Sequence, residues 1–109
     1  MITNKTTFLQ FIKQHILEDV TMKDLRNARA FSRNKIRYFN VVFTKSCTQY
    51  HISIMQFISG KIHCSISRYI IDEDFDIVEL YQQGTMEVSV DGVVLYDSYH
   101  FKDIYISKQ

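Results

Sequence analysis

Two cysteines and two histidines fall within one short stretch, SCTQYHISIMQFISGKIHC, as Cys47, His51, His63 and Cys64. These are the residue types that hold zinc or build a thiolate–imidazole nucleophile. Zinc needs its ligand atoms at about 2.0–2.3 Å from one point, so the question is whether the backbone lets them converge. On either side of Ser59-Gly60 the runs QYHISIMQFI and KIHCSISRYI are rich in β-branched and aromatic residues, which predicts two strands of a hairpin. With a two-residue loop, Ile58 pairs with Lys61 and His63 faces Gln56, leaving His51 roughly 16 Å further along. His63 and Cys64 are consecutive and point to opposite faces. Four ligands therefore do not converge. Cys64 reads as a small core residue sharing a face with Met55, Phe57, Ile62 and Ile66, and Cys47 as an exposed thiol. The expectation is a chain with no metal, no cofactor and no catalytic group.

Other chemistries fail on similar grounds. A phosphate-cradling loop needs glycine where backbone approaches the ligand, and the three glycines are otherwise assigned: Gly60 and Gly92 to hairpin turns, Gly84 to the end of a helix. In DEDFD, Asp72, Asp74 and Asp76 stand where a calcium loop has its first three ligands. Ile77 occupies the place of that loop's turn glycine, however, and Gln83 the place of its bidentate glutamate. Neither HExxH nor GxSxG is present.

The elements that must position these residues follow from periodicity. Phe8, Leu9, Phe11, Ile12, His15 and Ile16 share one helical arc, predicting an amphipathic helix from about Asn4 to Leu17 with His15 partly buried. A second helix is expected from Met22 to about Arg33. Thr21 and Asp24 form its capping box, Val20 and Leu25 its hydrophobic staple. IRYFNVVFT and the two runs above then predict a three-stranded antiparallel meander. Asp72 starts a third helix whose first turn is acidic, and Gly84 ends it. MEVSVDGVVLYD predicts a hairpin with a type I′ turn at Asp91-Gly92, which pairs Val90 with Val93 and puts Met86, Val88, Val90, Val93 and Leu95 on one face. DIYIS, residues 103–107, predicts a last strand. The expected fold is one α+β domain over residues 1–109, with two N-terminal helices and an antiparallel sheet of about five or six strands covered by helices on one face.

At 109 residues and 46% apolar composition the chain can build an ordinary core without staples. It shows no secretory signal and no apolar run long enough to span a bilayer, and two cysteines without such a signal predict a cytoplasmic protein with reduced thiols. Its abundant Ile and lack of Pro suggest an AT-rich coding sequence of the kind carried by low-GC bacteria, their phages and plasmids.

Charge is polarised along the chain. Residues 1–54 hold nine Lys/Arg against three Asp/Glu, and residues 55–109 four against nine. On the expected second helix Arg26, Arg29 and Arg33 form a basic stripe, with Lys23 beside it and Lys35 and Arg37 just beyond. Asp72, Asp76 and Glu79 form an acidic stripe on the expected third helix, with Glu73 and Asp74 alongside. The leading expectation is a non-enzymatic protein-binding module that docks on another protein through the acidic residues, for instance on one that handles nucleic acid. A phage- or plasmid-borne inhibitor or immunity-type protein is of this type. The alternative is nucleic-acid binding through Lys23, Arg26, Arg29, Arg33, Lys35 and Arg37, where Arg beside aromatics such as Tyr38 supplies phosphate neutralisation and base stacking. The two stripes could equally pair with one another, within the chain or between subunits.

Overall fold

The computed structural model describes residues 1–100. Its one α-helix, α1 (Lys5–His15), begins where the sequence says it should: Asn4 Oδ1 accepts from the Thr7 amide at 2.9 Å, and Thr7 Oγ1 accepts in return from the Asn4 amide at 3.0 Å. Phe8, Phe11 and Ile12 form its buried stripe. Beyond it the described residues build six strands, β1 (Arg29–Arg33), β2 (Ile36–Lys45), β3 (Thr48–Gln56), β4 (Ile62–Ile71), β5 (Ile77–Val88) and β6 (Val94–Asp97). They form one antiparallel sheet in strict sequence order.

Two expected helices are therefore corrected. Residues 22–33 form only a 3₁₀ turn, Met22–Leu25, before the chain extends as β1. The capping group survives in altered form, since the amide and hydroxyl of Thr21 both donate to Asp24 Oδ2, at 2.8 and 3.0 Å. Val20 and Leu25 are fully buried as a staple would be. What defeats the helix is the reversal at Asn34-Lys35, where both residues take positive φ (52° and 65°) as a type I′ turn requires, so that β1 ladders onto β2 from Arg33–Ile36 to Arg29–Asn40.

The acidic third helix is likewise a tight turn followed by β5. Asp72 Oδ1 accepts from the amides of Asp74 (2.9 Å) and Asp76 (3.0 Å), the same chemistry that caps a helix, and here it closes a hairpin. Gly84 lies inside β5, opposite Ile66.

The sheet has one covered and one open face. Phe39, Val41 and Phe43 of β2, Ile52 and Ile54 of β3, Ile62, Cys64 and Ile66 of β4, and Met86 and Val88 of β5 are all buried, and α1 packs onto them with Phe8 and Phe39 ring centroids 5.7 Å apart. The alternate residues, among them Asn40, His51, Ser53, Ser65 and Ser67, face the other way, and none of these five is buried. The β3–β4 register is shifted from expectation by one residue. The loop holds three residues, closed by Phe57 N–H to Lys61 O (2.9 Å) and Gly60 N–H to Phe57 O (2.8 Å), with Gly60 at φ 92°. Ile54 rather than Met55 is thus opposite Cys64. The β5–β6 loop repeats this design, with Ser89 N–H to Val93 O at 2.8 Å and Gly92 at φ 83°. Of the face assigned to that hairpin, Met86 and Val88 are buried, whereas Val90, Val93 and Leu95 are exposed. The strand expected over residues 103–107 lies outside the described residues.

Candidate functional site

The cysteines and histidines that opened the question are dispersed by the sheet. Cys64 is fully buried on the covered face, where burial, with a smaller push from Asp97, raises its thiol to about 12. His51 and His63 lie on the open face, in register with Ser67 and Met55 respectively, so they sit about four residues, or ~13 Å, apart along the strands. Each has its own partner. His51 Nε2 lies 2.7 Å from Gln49 Oε1 with its ring edge-on to Tyr69, and His63 Nδ1 lies 3.5 Å from Glu87 Oε1. Burial lowers the pKa of His51. Cys47 is in the β2–β3 turn, exposed, its carbonyl accepting from the Ile71 amide at 3.0 Å.

This separation has a direct consequence for thiol chemistry. At pH 8 a thiol of pKa about 12 is ionised to about one part in ten thousand, and Cys64 is also out of solvent reach. Iodoacetamide is expected to modify native protein at Cys47 alone, with Cys64 reacting only after denaturation. Peptide mapping that finds Cys64 modified at a comparable rate in the native state would contradict this packing.

The acidic residues come together more tightly than a helical stripe would allow. Carboxylate oxygens of Asp72, Asp74 and Asp76 lie within 4.8 Å of one another at the β4–β5 turn, all three residues exposed. Glu73 is in the same turn and Glu79 follows on β5, opposite Ile70. Among the described residues no ion pair reaches any of these five. Three like charges at this spacing repel by about 1 kcal/mol per pair even in bulk water, and among the described residues two backbone amides on Asp72 Oδ1, with no side-chain cation, stand against that. Around them stand large apolar side chains facing solvent: Phe75 (68% exposed), Ile77 (51%), Val78 (63%), Leu80 (46%) and Tyr81 (59%). Phe75 is held at φ 64°, a conformation that bulky residues rarely adopt, which costs of order 1–3 kcal/mol. At the base of the tip Arg68 stacks its guanidinium over Tyr81 at 4.2 Å and reaches the Tyr50 hydroxyl at 3.3 Å. The apolar collar was invisible in a helical reading, which sets Phe75, Val78 and Tyr81 off the acidic stripe instead of around it.

The basic residues fall into two groups. Lys23 belongs to the 3₁₀ turn, Arg26 follows it, and Arg29 and Arg33 project from β1 onto the open face with Phe31 between them. Lys35 sits in the β1–β2 turn. Arg37 is on the opposite side, its guanidinium 5.4 Å over the Phe39 ring. Lys45 is taken up by Asp24 at 2.8 Å. Burial pushes the Asp24 carboxyl up, but hydrogen bonds from Lys45 and Thr21 outweigh it and the net direction is down. Among the described residues no ion pair joins the basic set to the acidic tip, so the two do not neutralise each other there.

No helix among the described residues is long and apolar enough to cross a membrane. Comparisons with protein-family models, with curated proteins and with solved structures find no match to this chain.

Proposed function

We propose that this chain is a non-catalytic docking module of the cytoplasm that captures a basic partner protein through the β4–β5 tip. The observation that carries the reading is a turn whose carboxylates have no ion-pair partner among the described residues, set beside an exposed apolar collar on Phe75 and the start of β5. Stable interfaces combine apolar anchors with a charged rim in this way. A cationic partner would relieve the repulsion within the carboxylate trio, and the exposed rings and aliphatic chains would supply the area removed from water. An inhibitor or immunity-type protein occluding the nucleic-acid channel of an enzyme is one form of such docking, since that channel is both basic and concave.

The test is capture from nuclease-treated host lysate by immobilised protein. Asp72 closes the turn through its Oδ1, so the charge-reversal variant leaves it in place and carries Asp74→Lys, Asp76→Lys and Glu79→Lys. Retention of the partner should fall at least tenfold, with the thermal midpoint within a few degrees of the parent's. Asp72→Asn keeps the turn's acceptor and should weaken capture only slightly. Equal retention by the reversed variant and the parent would remove the tip from this role.

A further inference from the structure

The open face beside β1 carries a second surface, opposite in charge to the tip and meeting it only at Phe75. We propose that it binds single-stranded nucleic acid in a trough running from Lys23 to Arg33. Two adjoining cavities form it from Lys23 to Arg29, and Phe31 and Arg33 continue the same face along β1. One, of about 370 Å³, is floored by Asn40, Val42, His51 and Ser53 and walled by Asn27 and Arg29. The other, of about 640 Å³, shares Asn27 and Val42 with the first and extends past Lys23 and Arg26 to Phe75. Its only acidic lining residue, Asp24, is already paired with Lys45.

Four cations, Lys23, Arg26, Arg29 and Arg33, follow this line, and none of them has an ion-pair partner among the described residues. Arg29 and Arg33 are four residues apart on one strand, so their side chains emerge on the same face about 13 Å apart. Phe31 stands between them, half exposed, its ring stacked on Tyr38 with centroids 4.8 Å apart and planes within 9°.

These features select the ligand. A row of free cations favours a polyanion over a single anion. Parallel rings at the sheet surface extend a stack of bases by contact with base faces, which are open only in an unpaired strand. The floor offers amide, imidazole and hydroxyl groups that can both donate and accept, as base edges require. A duplex, by contrast, is read by an element protruding into a groove, and this face is a recessed floor of strands. The acidic tip lies past the Phe75 end and repels the strand from that side. This leaves the strand to run toward Arg33.

The experiment is fluorescence anisotropy with 5′-labelled dT15 and U15 on the whole chain. Four phosphate contacts predict binding whose log K falls against log salt with a slope of about −2.8. Arg29→Glu with Arg33→Glu should weaken binding at least tenfold. Phe31→Ala, at a half-exposed edge position, should weaken oligonucleotide binding about tenfold and leave affinity for base-free polyphosphate unchanged, because only stacking is lost. The Asp74→Lys, Asp76→Lys, Glu79→Lys variant should bind dT15 at least as well as the parent, which separates this site from the tip. Three results would each overturn the proposal: no binding at 50 mM salt, duplex DNA held as tightly as single strands, or poly-glutamate competing as well as dT15. Unchanged dT15 affinity in Phe31→Ala would overturn it too. Thermal unfolding of each variant confirms that the readout concerns binding.

Discussion

Gln56→Leu is expected to lower the free energy of unfolding by about 3 kcal/mol, although it replaces a polar core residue with an apolar one of similar size. Gln56 is the sole polar side chain among the buried described residues. Its Oε1 accepts from the Ile2 amide at 2.7 Å and its Nε2 donates to the Ile2 carbonyl at 3.0 Å, so one side chain satisfies both backbone groups of a residue 54 positions away. Leucine can do neither. The chain then has two responses. If Ile2 stays, two buried backbone groups lose their partners at about 1–3 kcal/mol each. If Ile2 leaves, the molecule loses the burial of a side chain only 2% exposed, about 1.5–3 kcal/mol, and the ordering of the residues that lead into α1. Neither route avoids a loss near 2 kcal/mol. Urea unfolding followed by circular dichroism measures it, and a change below about 0.5 kcal/mol would show that the Ile2 anchor is not energetically important. Gln56→Glu serves as a companion at low pH, where the neutral carboxyl can still donate and accept.

Gly84→Val should cost a similar amount for a different reason. A Cβ at this position would stand 2.6 Å from both the amide nitrogen and the Cα of Tyr99 and 2.8 Å from the Ser98 carbonyl carbon. These are backbone atoms and cannot rotate away. Residues 98–99 lie against β5 here, with the Thr85 amide donating to Ser98 Oγ at 2.9 Å, the Ser98 amide donating to the Thr85 carbonyl at 2.8 Å, and Gln82 Nε2 bound to the Tyr99 carbonyl. Displacing them forfeits those bonds and exposes Tyr99, now 3% accessible, for a total of about 3 kcal/mol. Gly84→Ala should show most of the loss, because the first carbon already makes the contact. A stability within about 0.5 kcal/mol of the parent in both variants would mean that this segment does not pack as described.

The same glycine illustrates what can and cannot be read from residue order. Gly84 was expected to stop a helix because Asp72 stood at a fitting distance before it with acidic residues following, and Asp72 does bind backbone amides. An aspartate that caps a helix and one that closes a tight turn do the same local chemistry. The choice between them lay in residues 77–83. Five of the first five residues of β5 are exposed, so the strand lacks the inside–outside alternation that normally betrays one. Arg29–Arg33 posed the converse problem. Five exposed residues carry no burial pattern, and cations three and four apart fit a helix as well as a strand. The decisive signal was the turn at Asn34-Lys35, where lysine stands at a position more often held by glycine. Where burial was strong the reading held: α1, its Asn4 boundary and the strands β2 to β4 follow from apolar spacing. One extra loop residue at Ile58–Gly60 then exchanged Met55 for Ile54 in the core, since a single step reverses every side chain.

The consequence for the two surfaces is similar. The acidic residues were legible as a group from composition alone, and their convergence depends only on a turn of five residues. The trough was not legible, because it requires β1 to lie beside β2 and places Phe31 against Tyr38 across a hairpin.

The strict order β1-β2-β3-β4-β5-β6 means that every neighbour in the sheet is also a neighbour in the chain. No strand has to wait for a distant segment to arrive, so the entropy lost in closing each connection is small and the ladder can zip outward from any formed hairpin. The central hairpins, which hold most of the apolar interior, are the natural nucleus, and the far-reaching links of the N-terminal segment, Ile2 to Gln56 and α1 onto the sheet, can be made last. Refolding should thus be rapid for an all-antiparallel sheet, with assembly running from the middle of the polypeptide toward its beginning.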